Sequence, residues 1–418
     1  MKYYIIAGEA SGDLHGSNLV KGLLEKDPSA QIRAWGGELM RQAGAEVVKD
    51  YRENSIMGFV EVVANIGKIL GNMKECCKDI LAFNPDVVIL IDYPGFNMKI
   101  AKFAKKHGFK VFYYIAPKVW AWKERRVHKI KRYVDKLFII FPFEVEYFRK
   151  WGIETVYRGN PLLDSVCNFS HAGESRAAFE ARTSPKRQVI CTTAAEPTTA
   201  AAAMPIIAAL AGSRKMEIGF LLPRIVRTAL AMPQYRFIIA AAPSMEPEYL
   251  IKMIQKELAA AGAPAGTSQA GSNKTQSCIS HTQAGRCNIE IMYGETYAVL
   301  QQSVAAIISS GTASLEAALL KTPQVVCYGG NPISFYIAKA VVKLKYISLA
   351  NLILDKLIFK EILQNDCTPA NISAELEALI NQKTYRDAML ADYDKVHQLL
   401  GGGGASGRIA EAMIEELK

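Results

Sequence analysis

Short, fully apolar runs alternate along this chain with longer stretches whose apolar residues recur at helical spacing. The clearest run is Val87 to Ile91, V-V-I-L-I, closed by Asp92 and then by Tyr93-Pro94-Gly95. Five apolar residues in succession, most of them β-branched and bounded by turn formers, predict a strand buried on both faces. Residues 3–7, 31–34, 111–115 and 136–141 read as further strands. Helices are predicted from the turn at Gly8 through Leu24, over residues 57–73, and from Phe96 to His107. In residues 57–73, Phe59, Val63, Ile66, Leu70 and Met73 share one face, and Val60, Val62 and Ile69 make that stripe wider than one core face needs. Strand and helix alternating in this way predict a doubly wound parallel sheet for residues 1–168, with an exit at Asn160-Pro161-Leu162-Leu163-Asp164.

The pattern weakens over residues 169–204, where the polar run 182–187 (R-T-S-P-K-R) and the Thr/Ala-rich run 192–203 read as a loose connection. It resumes over residues 205–395, with strands at 205–210, 235–242, 305–309 and 324–328 and a helix at 311–320. Residues 259–286 again read as loose, and 396–418 as a tail. The expected architecture is α/β, two Rossmann-like domains facing a cleft.

Composition adds direction. A chain of 418 residues, 50% hydrophobic and 22% charged, is long enough for two or three domains. A net charge of +10 favours anionic partners, whether nucleic acid, anionic lipid or a phosphorylated substrate. The eight cysteines include no C-x-x-C pair, which suits reduced thiols in the cytoplasm. Met1 to Ala7 reads as a first strand rather than a signal peptide. No apolar run approaches the roughly 20 residues of a spanning helix, so the expectation is a soluble protein or one seated on a membrane surface.

Several residues carry candidate chemistry. Asp92 stands where a buried strand ends, the edge at which α/β sheets bind ligands; it is either a general base or a carboxylate capping the next helix. In G-E-A-S-G-D (8–13), Ser11 or Asp13 is expected to cap the first helix, whose free N–H groups offer an anion site. In S-S-G-T-A-S-L-E (309–316), a strand ends, Gly311 permits close approach, and a helix opening at Thr312 suits a diphosphate. Glu316, one turn on, is either a ribose ligand or a surface glutamate. Arg214 is a phosphate partner or a surface arginine. The basic run Lys118, Lys123, Arg125, Arg126, Lys129, Lys131 and Arg132 surrounds Trp120 and Trp122. It fits nucleic acid, anionic lipid or a solvated helix face, and the broad apolar stripe of residues 57–73 favours lipid over nucleic acid. His15 either reaches the cleft or lies on a helix face. No metal is expected: Asp392-Tyr393-Asp394 sits in a polar helical tail, and Cys278, His281 and Cys287 are irregularly spaced.

These motifs together resemble the lipid-A-disaccharide synthase family of glycosyltransferases. The matching segments are G-E-A-S-G-D-L-H-G (8–16), M-G-F-V-E-V (57–62), I-D-Y-P-G-F-N (91–97), P-K-V-W-A-W (117–122), F-P-F-E (141–144), G-N-P-L-L-D (159–164), A-G-S-R (211–214), S-G-T-A-S-L-E (310–316), Y-I-S-L-A-N-L-I (346–353) and E-I-L-Q (361–364). The resemblance implies a GT-B fold and inverting transfer of 2,3-diacylglucosamine from UDP-2,3-diacylglucosamine to 2,3-diacylglucosamine 1-phosphate (lipid X), with a β-1,6 linkage, without cofactor or divalent metal. It implies that Asp92 is the essential aspartate, Glu9 a first-loop acid, Arg214 the phosphate-side arginine and Glu316 the nucleotide-side acid. Ser11, Gly12, Asn97, Ser310, Gly311 and Thr312 would line the substrate and UDP sites, and Phe59, Val63, Ile66, Trp120 and Trp122 would meet acyl chains or membrane. It further implies a peripheral position on the cytoplasmic face of the inner membrane, a homodimer through the C-terminal region, a tail packed back on the first domain, and no nucleic-acid partner. Residues 182–203 and 259–286 look expanded against the family pattern, and Gly219 and Ala350 depart from it. A UDP-sugar epimerase or hydrolase of the same fold, or a basic nucleic-acid-binding module, are the rival readings.

Overall fold

The computed structural model describes residues 1–54, 66–120, 124–191, 204–242, 245–262, 288–330 and 345–418. They form two compact units, one of Met1–Cys167 with Leu399–Lys418 and the other of Asn168–Gln398.

In the first unit the strands are β1 (Lys2–Ala7), β2 (Gln31–Gly36), β3 (Glu46–Asp50), β4 (Val87–Ile91), β5 (Lys110–Tyr114), β6 (Lys136–Ile139) and β7 (Thr155–Tyr157). They pair in parallel in the order β3-β2-β1-β4-β5-β6-β7. Every residue of β4 is buried, as its unbroken apolar run requires. The strand order reverses between β1 and β4, so the crevice beyond their carboxyl ends is the topological switch point. Ala7 pairs with Ile91. Glu9 and Asp92 therefore leave the sheet on adjacent strands.

The Ala10–Lys26 helix packs closely on the last helix, Ala405–Glu415. A side chain at Gly22 would lie 3.1 Å from the Ala410 methyl and 3.2 Å from Gly407 Cα, so glycine permits the crossing. Asp164 caps the last helix, accepting from the N–H groups of Gly404, Ala405 and Ser406 at 2.6, 2.9 and 2.8 Å. Lys136 pairs with Glu416 at 2.7 Å. The described helix after β3 runs Ile66–Phe83, beyond the end expected from the apolar stripe. Buried Cys76 and Ile80 continue its face at i, i+4 while Lys74, Glu75 and Lys78 stay exposed.

The second unit has β8 (Arg187–Cys191), β9 (Ile206–Leu210), β10 (Arg236–Ala241), β11 (Ile289–Tyr293), β12 (Ser303–Ser309), β13 (Gln324–Tyr328) and β14 (Glu361–Leu363), in the order β14-β13-β12-β9-β10-β11-β8. All pair in parallel except β8, which runs antiparallel to β11. Its order reverses between β9 and β12.

The loose connection expected from residue 169 is corrected over 176–191, which hold the Arg176–Thr183 helix, capped by the Ser175 hydroxyl, and then β8. The charges that resemble a solvated loop are consumed in ion pairs. Arg236, 1% exposed, binds both Glu290 oxygens at 2.7 Å and Glu180 at 2.9 Å. Arg176 and Arg187 also hold Glu180, at 2.7 and 2.5 Å. The Thr/Ala-rich run 192–203 and most of 259–286 lie outside the described residues.

Candidate active site

In the first unit, β4 ends at Ile91, and Asp92 (φ +43°) and Tyr93 (φ +46°) are both left-handed. Each such non-glycine residue costs on the order of 1 kcal/mol or more. The turn is held from the neighbouring strand and the following helix. Asp92 N–H donates to the Tyr114 carbonyl at 3.2 Å. The Asp92 carbonyl accepts from the Tyr113 hydroxyl at 2.5 Å and from Asn97 Nδ2 at 2.9 Å. The Pro94–Lys106 helix then starts with proline at its first position, where no N–H is needed. Tyr93, not Asp92, occupies the capping position, and it makes no side-chain cap bond. The capping alternative for Asp92 is thereby displaced.

Tyr93 closes over the end of β1, because any Cβ on Gly8 would fall 2.3 Å from its ring. Its ring stacks on Phe96 at 5.6 Å, and Phe96 stacks on Trp35 at 5.7 Å. This aromatic ladder, with Ile69 and Tyr51, walls a small, largely apolar pocket of about 20 Å³ beside Gly8. Glu9 begins the Ala10–Lys26 helix from an extended conformation. Burial, with the Glu9 charge adding to it, raises the Tyr93 phenol pKa. Ser11 is exposed in the first turn of that helix, whereas Gly12 is buried, its Cβ position 3.1 Å from the Ala7 methyl.

Other expectations here need correction. Asn97, expected to touch substrate, is fully buried and binds the carbonyls of Ile91 and Asp92 at 3.1 and 2.9 Å. Asp13 does not cap its own helix. Its carboxylate accepts from the N–H groups of Gly37, Leu39 and Met40 at 2.8, 3.1 and 3.2 Å, opening the Glu38–Gln42 helix instead. His15 is buried rather than aimed at the crevice, and burial lowers its pKa from 6.5 to about 4 against the pull of Asp164. Trp120 is half-buried, its indole N–H donating to Glu144 at 3.1 Å and its edge set on Phe143. Glu144 also accepts from the Ile140 and Phe141 N–H groups, and burial pushes its pKa up to about 7. No positional signal in the sequence marks Glu144 or Tyr113 for these roles, beyond the presence of Glu144 in F-P-F-E. Arg125, Lys129, Lys131 and Arg132 are exposed. Phe59, Val63, Trp122, Lys123 and the Ile66 side chain lie outside the described part.

In the second unit, Leu210 pairs with Ile308, so the loops after β9 and β12 leave adjacent strands. Gly212 has φ +108°, and a Cβ there would lie 2.6 Å from Glu217 and 3.4 Å from the Ser309 hydroxyl. Only glycine fits that approach. Ser213 N–H donates to Glu217 at 3.2 Å, and Arg214, 54% exposed, opens the Lys215–Ala231 helix. Gly311 has φ +133° with nothing within 4 Å of its Cβ position, leaving the start of the Thr312–Leu319 helix open to approach. Ser310 is half-buried and Thr312 exposed. Glu316 accepts from the Tyr297 hydroxyl at 2.9 Å, and burial raises its pKa against that bond. Arg214, Ser310, Gly311, Thr312 and Glu316 thus belong to one end of one sheet, and helix N-termini with an exposed guanidinium suit an anion. The D-x-D pair is engaged elsewhere: Asp392 binds Lys356 and Lys395, and Asp394 binds Lys321. Cys278, His281 and Cys287 lie outside the described residues.

Solved structures share this fold. The chain is similar to a UDP-GlcNAc 2-epimerase from Neisseria meningitidis bound to UDP-GlcNAc, with TM-score 0.65, 13% identity, and 99% of this chain and 100% of that one covered. It is also similar to a glycosyltransferase from Rickettsia africae, with TM-score 0.57 and 13% identity over 100% of this chain and 98% of that one. The fold class is therefore α/β of the GT-B type, shared by glycosyltransferases and epimerases. The family model for lipid-A-disaccharide synthetase matches residues 3–279 and 267–403. Lipid-A-disaccharide synthases from Geobacter metallireducens and Myxococcus xanthus are 34% and 31% identical over 417 residues, 99% of this chain and 96% and 97% of those proteins. The chain belongs to the lipid-A-disaccharide synthase family, whose members are glycosyltransferases. The epimerase likeness, at 13% identity, extends to the fold alone.

Proposed function

We propose that this chain transfers 2,3-diacylglucosamine from UDP-2,3-diacylglucosamine to the 6-hydroxyl of 2,3-diacylglucosamine 1-phosphate, with inversion, releasing UDP. The observation that carries this reading is the family match, which runs through both the Asp92 loop and the loop at residues 309–316. Asp92 takes the proton of the acceptor 6-hydroxyl as that oxygen bonds to donor C1. The bond from C1 to the diphosphate breaks, and UDP leaves with the electron pair. Glu9, on the adjacent strand end, orients the acceptor. Arg214 and the N–H groups opening the Thr312–Leu319 helix stabilise charge on the departing diphosphate. Glu316, steadied by Tyr297, accepts from the ribose hydroxyls.

The substrates carry acyl chains, and reversible docking on the cytoplasmic face of the inner membrane fits them. No described helix is long and apolar enough to cross a membrane. Leu70 is 50% exposed near the start of the Ile66–Phe83 helix, with exposed Lys68 beside it. An apolar edge flanked by basic residues favours an anionic lipid surface. Substituting Asp92→Asn tests the chemistry: turnover should fall by about a hundredfold or more, the range of general-base contributions starting near that value, with unchanged circular dichroism. Full activity in that variant would remove Asp92 as the base.

A further inference from the structure

A carboxylate is useful as a base only if its Cα–Cβ bond is aimed correctly, and that direction is set by the two peptide planes flanking its residue. At Asp92 both planes are fixed by β5. The plane before Asp92 is held by its N–H on the Tyr114 carbonyl at 3.2 Å. The plane after it is held by its carbonyl, which accepts from the Tyr113 hydroxyl at 2.5 Å and from Asn97 at 2.9 Å. The register Leu90↔Tyr113 and Ile91↔Tyr114 brings those groups to the end of β4. Two consecutive left-handed, non-glycine residues form this turn. Without side-chain bonds to its main chain, such a turn relaxes toward commoner conformations.

We infer that Tyr113 is a positioning residue for the transfer reaction, acting with Asn97 to hold the peptide after Asp92 and thus the direction of the Asp92 carboxylate. Tyr113 and Asn97 are both 0% exposed, so neither reaches substrate and both act through Asp92. Burial first, and the nearby Asp92 charge second, raise the phenol pKa well above its ordinary value. The hydroxyl therefore keeps its proton and remains a donor throughout the neutral range. Asn97 repeats the grip from the Pro94–Lys106 helix, its amide also binding the Ile91 carbonyl at 3.1 Å.

This inference rests on the reading of Asp92 as the base, and a double-mutant cycle separates the two. Tyr113→Phe keeps the ring and removes only the hydroxyl. Its kcat for UDP release should fall about tenfold, since small misplacement of a reacting group is costly, while KM for each substrate stays within about twofold. Added to Asp92→Asn, Tyr113→Phe should lower kcat no further, because a group that acts through Asp92 has nothing left to orient. Asn97→Ser, read in the same way, covers the case in which Tyr113→Phe does not fold. The inference is overturned if Asp92→Asn is impaired yet both single variants keep wild-type kcat, if their effects multiply with that of Asp92→Asn, or if both fail to fold. An Asp92→Asn enzyme with full activity instead overturns the base reading beneath it.

Discussion

Replacing Arg236 by methionine removes a guanidinium that is 1% exposed and bound to Glu290 at 2.7 Å and Glu180 at 2.9 Å. Glu180 stays paired, because Arg176 and Arg187 hold it at 2.7 and 2.5 Å. Glu290, 7% exposed, keeps only the longer 3.9 Å approach of Arg187 among the described ion pairs. Removing one partner of a buried pair costs about 3–5 kcal/mol, because the other charge stays desolvated. The nearby Arg187 places the expected loss at the lower end, about 3 kcal/mol. For a domain of this size that is a fall of about 6–12 °C in the melting temperature of the second unit. Substituting both Arg236→Met and Glu290→Met leaves no orphan carboxylate and should cost about 1 kcal/mol or less. The tryptophans, at 35, 120, 122 and 151, all belong to the first unit. Far-UV circular dichroism therefore reports the change, and tryptophan fluorescence separates it from the first unit's transition. A single substitution that costs no more than the double one would refute the reasoning.

His15 makes the first unit acid-sensitive. Its folded pKa of about 4 lies below the ordinary 6.5, so the unfolded chain binds the proton first as pH falls. The stabilisation is complete above pH 6.5 and is lost as pH drops toward 4. Between pH 7.5 and 5 the loss is about 2 kcal/mol, from the linkage of proton binding to unfolding. Urea denaturation of His15→Gln over that range should show a correspondingly smaller loss, and an identical pH dependence would exclude the assignment. Membrane docking predicts that serines at Phe59, Val63 and Ile66 abolish co-sedimentation with anionic liposomes; unchanged sedimentation would count against it.

Features built from neighbours in the chain were readable in advance. The V-V-I-L-I run became the buried central strand β4, and S-S-G-T became a strand end, a left-handed glycine and a helix start. Features built by distant partners were not. Asp13 binds N–H groups 24 to 27 residues away, and Tyr113 binds a carbonyl 21 residues back. Nothing near either residue announces those bonds. Segment 176–191 misled for a related reason: its arginines and glutamates look solvated until Glu290 and Arg236, far along the chain, supply the charges that bury them. Asn97 was readable as important but not as internal, since only the fold turns its amide onto the main chain.

Acceptor dependence is the sharpest test of the central claim. Purified wild-type protein, given UDP-2,3-diacylglucosamine with and without 2,3-diacylglucosamine 1-phosphate, should release UDP only when the acceptor is present, in equal amount to a disaccharide 1-phosphate. UDP release at the same rate without acceptor, or turnover of UDP-GlcNAc to its epimer, would contradict the account.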